Sequence, residues 1–212
     1  MLRQPGPTHS VFDVLAAACM AIDSVRNVAL LGFGGGGVVA ALRALGCQAR
    51  VHAVDLDPTG WNLLTQARVQ WIEPITWHRR EAGSWIQSSN LFDVVIDDLS
   101  VPDRGDVRKP DITWENLPEA AFHHLRPGGL ALFNLLRPRT MSWQKAEARI
   151  TGPFAQSLRI HLDEFENRIL VTAKPPRDGS AILEPRGFGR ILRKSLRALA
   201  SRQSNCVRIA SV

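Results

Sequence analysis

Five of the six residues from Gly32 to Gly37 are glycine, set between the apolar run "NVALL" and the helical pattern "GVVAALRALG". Glycine inside regular structure costs about 0.5–1 kcal/mol relative to alanine, through the freedom it loses on folding. A run this dense belongs where the backbone must turn sharply and a ligand must come close to it. Between a strand and a helix, such a turn offers free N–H groups and a helix N-terminus to an electron-rich partner. The chain is therefore expected to begin its core with a strand, a glycine turn and a helix.

The pattern continues in the same way. Strands are expected near 28–31, 50–54, 74–78, 92–97 and 129–135, with helices near 37–46, 58–70, 83–88, 114–125 and 141–149. Strands separated by helices need crossover connections, which give a parallel sheet covered on both faces. Two later runs, "AQSLRIHL" and "NRILVTAK", have only "DEFE" between them. So short a link requires an antiparallel hairpin. The expected architecture is α/β, with a mostly parallel seven-stranded sheet, a C-terminal antiparallel hairpin and helices on both faces. Its 212 residues suffice for one sizeable core. Three segments follow: a helical extension over 1–26, a nucleoside-binding domain over 27–174 and a basic tail over 175–212, beginning at "PPRDG".

Gly32, Gly34 and Gly37 spell G-x-G-x-x-G, the spacing of dinucleotide-binding turns, which keeps NAD open as a ligand. Asp55 closes the second strand in "VHAVDLDP", 18 residues beyond Gly37. There its carboxylate can accept hydrogen bonds from both hydroxyls of an adenosine ribose. Asp57, just before Pro58, is read as the cap of the next helix.

From Asn27 to Leu136 the sequence resembles the spermidine synthase family, within the class I S-adenosylmethionine-dependent methyltransferase superfamily, whose Rossmann-like fold has the layout described above. "VALLGFGGGGVVAAL" resembles the family's nucleoside loop, which implies cofactor contacts at Gly32, Phe33, Gly34, Gly35 and Gly36. "VHAVDLDP" resembles its ribose-binding strand, implicating Asp55 and Leu56. "REAGSWI" matches an acid followed by a small residue, which puts Glu81 at the adenine amino group and Ala82 beside the ring. "FDVVIDDLS" resembles the fourth strand, whose final aspartate faces donor and substrate in the synthases; the matching residue is Asp98. "HHLRPGGLALFNL" resembles the turn into the fifth strand and argues against a NAD enzyme.

The departures bear on the reaction. Aminopropyl-transferring members carry an aspartate where this chain has Gly35 and a second acid where it has Val101, and both help hold a polyamine cation. The small β-rich domain that precedes the synthase core is not expected, with about 26 residues before the first strand, and the chain has no tyrosine. The reading is a transferase that uses S-adenosylmethionine, or decarboxylated S-adenosylmethionine, as donor substrate, with methyl transfer preferred over aminopropyl transfer. The acceptor is a small molecule, with an amine among the candidates. Aminopropyl transfer to a polyamine and a nucleoside-binding module without catalysis remain the alternatives. Asp98 either activates the acceptor or, with Asp97, caps the loop "LSVPDRGDVRKPD", in which Asp103 and Asp106 are candidates to replace the missing acids.

Charge is unevenly distributed. Residues 1–174 carry 18 basic and 18 acidic side chains, whereas 175–212 carry eight basic and two acidic. In "FGRILRKSLRALASR", apolar residues at helical spacing alternate with basic ones. A helix packed on its own domain, or on a homodimer partner, is preferred here to contact with nucleic acid or an anionic membrane. Cys19, Cys47 and Cys206 lack metal-type spacing, so neither a disulfide framework nor a metal site is expected and a reducing cytoplasm is. "VFDVLAAACMAI" is too short for a membrane span and reads as a core helix.

Overall fold

The computed structural model describes residues 4–212. Its strands are β1 (Asn27–Leu31), β2 (Arg50–Asp55), β3 (Ile75–Arg79), β4 (Phe92–Asp97), the short pair β5 (Val101–Asp103) and β6 (Asp106–Arg108), then β7 (Leu125–Leu135), β8 (Gln156–Leu162), β9 (Arg168–Ala173) and β10 (Val207–Ser211). The helices are α1 (Val11–Cys19), α2 (Gly37–Ala44), α3 (Thr59–Gln66), α4 (Ala82–Gln87), α5 (Leu117–His124), α6 (Trp143–Thr151) and α7 (Pro185–Ala198).

Eight strands form one sheet in the order β10-β8-β9-β7-β4-β1-β2-β3. The strands from β7 to β3 in that order run parallel, and β9, β8 and β10 add antiparallel pairs. Alternation along each strand divides the core between the two faces. Val28, Leu30, Val94 and Ile96 join the cluster under α1, α2 and α7, while Ala29, Leu31, Val95 and Phe133 join the cluster under α4, α5 and α6. Burial on both sides is why β1 reads as an unbroken apolar run. Strand order reverses between β1 and β4, the place where open α/β sheets hold their ligands, outside the carboxyl ends of the strands.

The sheet has one strand more than expected. β10 sits at its edge with most of its side chains exposed, so "VRIAS" lacks the alternation that marks a half-buried strand; its pairing with β8 comes from tertiary contact. The β5–β6 ribbon was also not expected. Its two-residue turn has Arg104 at φ 50° and Gly105 at φ 87°, the geometry of a tight hairpin without its usual Asn-Gly signal.

α1 and α7 belong to the same core. α1 is almost wholly buried; Ser10 Oγ accepts from Phe12 N, and Asp13 accepts from Thr8 N, Thr8 Oγ1 and His9 N. α7 buries Phe188, Leu192 and Leu196 in the cluster that contains α1. Among the described residues no helix is long and apolar enough to cross a membrane.

His52 on β2 and His78 on β3 stack, with Nδ1 of the first 3.1 Å from Nε2 of the second, beside Trp85 and Phe92. Burial, and then His78 and Arg50, hold His52 below the ordinary imidazole value of 6.5; burial and Arg80 lower His78 too. With folded values depressed, the unfolded chain takes up protons first as pH falls, so this pair's contribution is present at neutral pH and lost below about pH 6.5. Melting curves from about pH 7 to about pH 5 are expected to show a smaller loss of stability in His78→Gln than in the parent.

Candidate active site

The glycine turn sits at the reversal of strand order. Gly32 N donates to Val54 O at 2.8 Å, and Asp98 N donates to Leu31 O at 2.8 Å, which clamps the end of β1 between β2 and β4. Gly32 has φ +89°, and a Cβ there would lie 2.5 Å from the Asp98 carbonyl oxygen, so only glycine fits. At Gly34 and Gly35 an added Cβ would meet nothing within 4 Å, and both residues border a cavity of about 700 Å³. The Phe33 ring turns away into the core against Trp61 and Trp77, leaving its backbone at the turn.

Of the expected cofactor residues, Gly34, Gly35, Asp55, Leu56, Glu81 and Ala82 border this cavity. Gly32 and Asp98 border an adjoining cavity of about 290 Å³, which shares Gly34, Asp55, Leu99, Ser100 and Val107 with the larger one. Phe33 and Gly36 border neither. Asp55 Oδ2 accepts from Phe33 N at 2.8 Å and Gly34 N at 3.2 Å, while Oδ1 accepts from Asp57 N. The carboxylate at the end of β2 thus holds the turn as well as facing the cavity. Asp57 accepts from Thr59 N and Oγ1 at the start of α3. Glu81 caps α4, accepting from Gly83 N, Ser84 N and Ser84 Oγ. Burial opposes its ionisation, but these donors hold it below the usual carboxylate range.

Besides Leu56, which the resemblance already implicated, the walls include Leu63 and Val107, which residue patterns did not single out. Leu56, Leu63 and Val107 are exposed large apolar side chains that line the larger cavity, offering flat non-polar surface to a ring. Leu63 comes from the exposed side of α3 and Val107 from the ribbon; the helical pattern near 58–70 was the only signal for the former. Gly60 on α3 packs so closely under the turn that a Cβ would lie 1.6 Å from Gly34 O.

Adjacent aspartates have opposite surroundings. Asp97 is buried, and its carboxylate accepts from Lys109 Nζ at 2.9 Å, Thr113 Oγ1 at 2.9 Å and Leu99 N. Its carboxylate is engaged inside the fold with the loop after β4, which fits the capping role, and it is not free to face a substrate. Asp98 borders the smaller cavity, where its Oδ1 accepts from Asn134 Nδ2 at 2.7 Å and Asn134 Oδ1 in turn accepts from Asn167 Nδ2 at 2.9 Å. Oδ2 of Asp98 has no protein donor among the described residues. Burial raises the Asp98 carboxyl to about 6; the Asn134 bond and Lys109 oppose the rise, and Asp97 and Asp55 add to it. No site role was expected for Asn134, Asn167 or Lys109.

Neither loop acid borders the two cavities. Asp103 pairs with Arg139, and Asp106 borders a neighbouring groove of about 540 Å³ whose walls include Arg108, Arg137, Arg139 and Glu166. Among the described residues, no three His, Cys, Asp or Glu side chains gather to hold a metal ion.

No protein-family model matches the chain, and no curated protein matches it either. Solved structures do. Human methyltransferase-like protein 13 in complex with SAH is 18% identical, with TM-score 0.70 over 91% of this chain and 92% of that one. A probable spermidine synthase from Corynebacterium glutamicum is 18% identical, with TM-score 0.69 over 99% and 76% of the two chains. Spermidine synthase from Thermotoga maritima is 14% identical, with TM-score 0.64 over 93% and 67%. The chain has the Rossmann-like class I methyltransferase fold, as its sequence pattern implied.

The buried ion pair beneath the site gives a direct test of how its floor is held. Lys109→Met leaves Asp97 charged and unpaired, and is expected to cost about 3–5 kcal/mol in urea unfolding. A loss below about 1 kcal/mol would mean that water reaches Asp97 and that the pair behaves as a surface pair.

Proposed function

We propose that this protein is an S-adenosylmethionine-dependent transferase that moves a methyl group to a small-molecule acceptor activated by Asp98. The observation that carries this reading is the joining of two cavities at the glycine turn, one bordered by Asp55 and Glu81 and the other by Asp98. The larger fits a nucleoside: glycine backbone at Gly34 and Gly35, carboxylates at two sides, and apolar walls at Leu56 and Leu63. S-adenosylmethionine, when bound, supplies a methyl group made electrophilic by its sulfonium sulfur. Asp55 would hold the ribose hydroxyls and Glu81 the adenine amino group. Asp98 would orient the acceptor and take its N–H or O–H proton on Oδ2, while Asn134 holds Oδ1 in place. A carboxyl raised to about 6 is ionised at neutral pH and a stronger base than an ordinary aspartate.

Methyl transfer is preferred over aminopropyl transfer on charge. Gly35 and Val101 stand where the resemblance implies polyamine-binding acids, and the groove bordered by Val107 and Leu136 beyond the smaller cavity sets Arg108, Arg137 and Arg139 against Asp106 and Glu166. A polycation would meet a small excess of positive charge there. The three free cysteines fit a reducing cytoplasm.

S-adenosylhomocysteine at about a hundred times its Kd is expected to add about 2.7 kcal/mol of stability, read as a rise in Tm. Methylthioadenosine, decarboxylated S-adenosylmethionine and NAD run in parallel: preference for either of the first two would restore aminopropyl transfer, preference for NAD would replace the donor class, and no shift would leave a scaffold without this ligand. Asp98→Asn is expected to keep the shift and lose transfer. In the parent, kcat is expected to rise with pH through about 6, as Asp98 loses its proton.

A further inference from the structure

The exposed side of α7 has no part in the site described above. Arg186, Arg190, Arg193, Lys194 and Arg197 recur at helical spacing and are all exposed, so they form one stripe along the helix. At 1.5 Å rise per residue the stripe is about 16 Å long. From Pro185 to Val212 the chain has seven basic side chains and no Asp or Glu, whereas the first 184 residues carry 19 basic and 20 acidic ones. Among the described residues none of the five takes part in an ion pair. Glu184, at the head of the helix, is occupied as its cap, accepting from Arg186 N and Gly187 N.

We infer that this stripe docks the phosphate backbone of a nucleic acid. An unpaired row of like charges repels itself, and a polyanion that follows its length relieves the repulsion along the whole row. Four of the five are arginine, whose planar guanidinium pairs with phosphate through two hydrogen bonds. A helix that binds membranes inserts its apolar face, but that face of α7, with Phe188, Leu192 and Leu196, is buried against the protein's own core. A protein partner needs an apolar centre for its interface, and the stripe offers only Ile191. The docking is independent of base sequence, since nothing on this face is shaped to read base edges.

The test is fluorescence anisotropy of a labelled single-stranded RNA with the full chain, with a DNA duplex of the same length in parallel. Five backbone contacts predict that affinity for the single strand falls about a hundredfold between about 50 and about 200 mM salt. The double reversal Arg190→Glu and Lys194→Glu is expected to weaken binding at least about tenfold, while Arg149→Glu, exposed on α6 across the sheet, leaves it unchanged. Should circular dichroism show that the reversal unfolds the chain, Arg190→Gln with Lys194→Gln replaces it, with a smaller loss expected. Tighter binding to one nucleic acid than the other identifies the source. Equal affinity of parent and stripe variants, binding indifferent to salt, or capture by phosphatidylglycerol vesicles with neither nucleic acid bound would each overturn the inference.

Discussion

The site depends on a contact that leaves no room for a side chain. Gly32 meets the backbone of Asp98 so closely that a Cβ would overlap its carbonyl, while the hydrogen bonds from Gly32 N to Val54 O and from Asp98 N to Leu31 O tie the ends of β1, β2 and β4 together. From below, Gly60 approaches Gly34 just as closely. With the turn held from these sides, Phe33 N and Gly34 N point at Asp55, and Asp98 emerges beside the smaller cavity. The glycines therefore do more than grant conformational freedom. Two of them are points where backbone packs on backbone, and the cavities exist because the strands end together there.

What was legible in the sequence had a local cause. The turn from Gly32 to Gly37, the strand ending at Asp55 and the cap at Asp57 each follow from residue types within a few positions of one another. The hairpin of β8 and β9 was legible because four residues leave no other connection. β10 and the β5–β6 ribbon were not, because one is an edge strand stabilised by its partner β8 and the other folds around Arg104 in a backbone conformation that favours glycine or asparagine. Asn134, Asn167 and Lys109 were hidden for the same kind of reason. Their partners are 36, 33 and 12 residues away, and nothing about an isolated asparagine or lysine announces such a pairing.

Asp97 and Asp98 show how position decides chemistry between identical side chains. Asp97 closes β4 facing the layer that holds Thr113 and Lys109, where a full set of donors makes its charge tolerable in the interior. One residue later the chain has left the strand, and Asp98 has a single amide donor with an open cavity beside it. Burial without a matching cation raises its carboxyl, as happens at groups that exchange protons. Lys109 takes part in both environments. It neutralises Asp97 directly and, at longer range, keeps Asp98 from rising further.

The antiparallel strands also gain a purpose from this arrangement. Asn134 lies near the end of β7 and Asn167 just before β9, so the amide chain to Asp98 crosses from the parallel part of the sheet into the hairpin. Asn134 Nδ2 can donate to Asp98 only while its Oδ1 is turned the other way, and Asn167 is the donor that holds it so. Pairing of β7 with β9, which sets Asn134 opposite Ile169, fixes the spacing of that relay. The hairpin is thus more than cover for the sheet's flank: through two amides it holds one oxygen of Asp98 and leaves the other to the cavity.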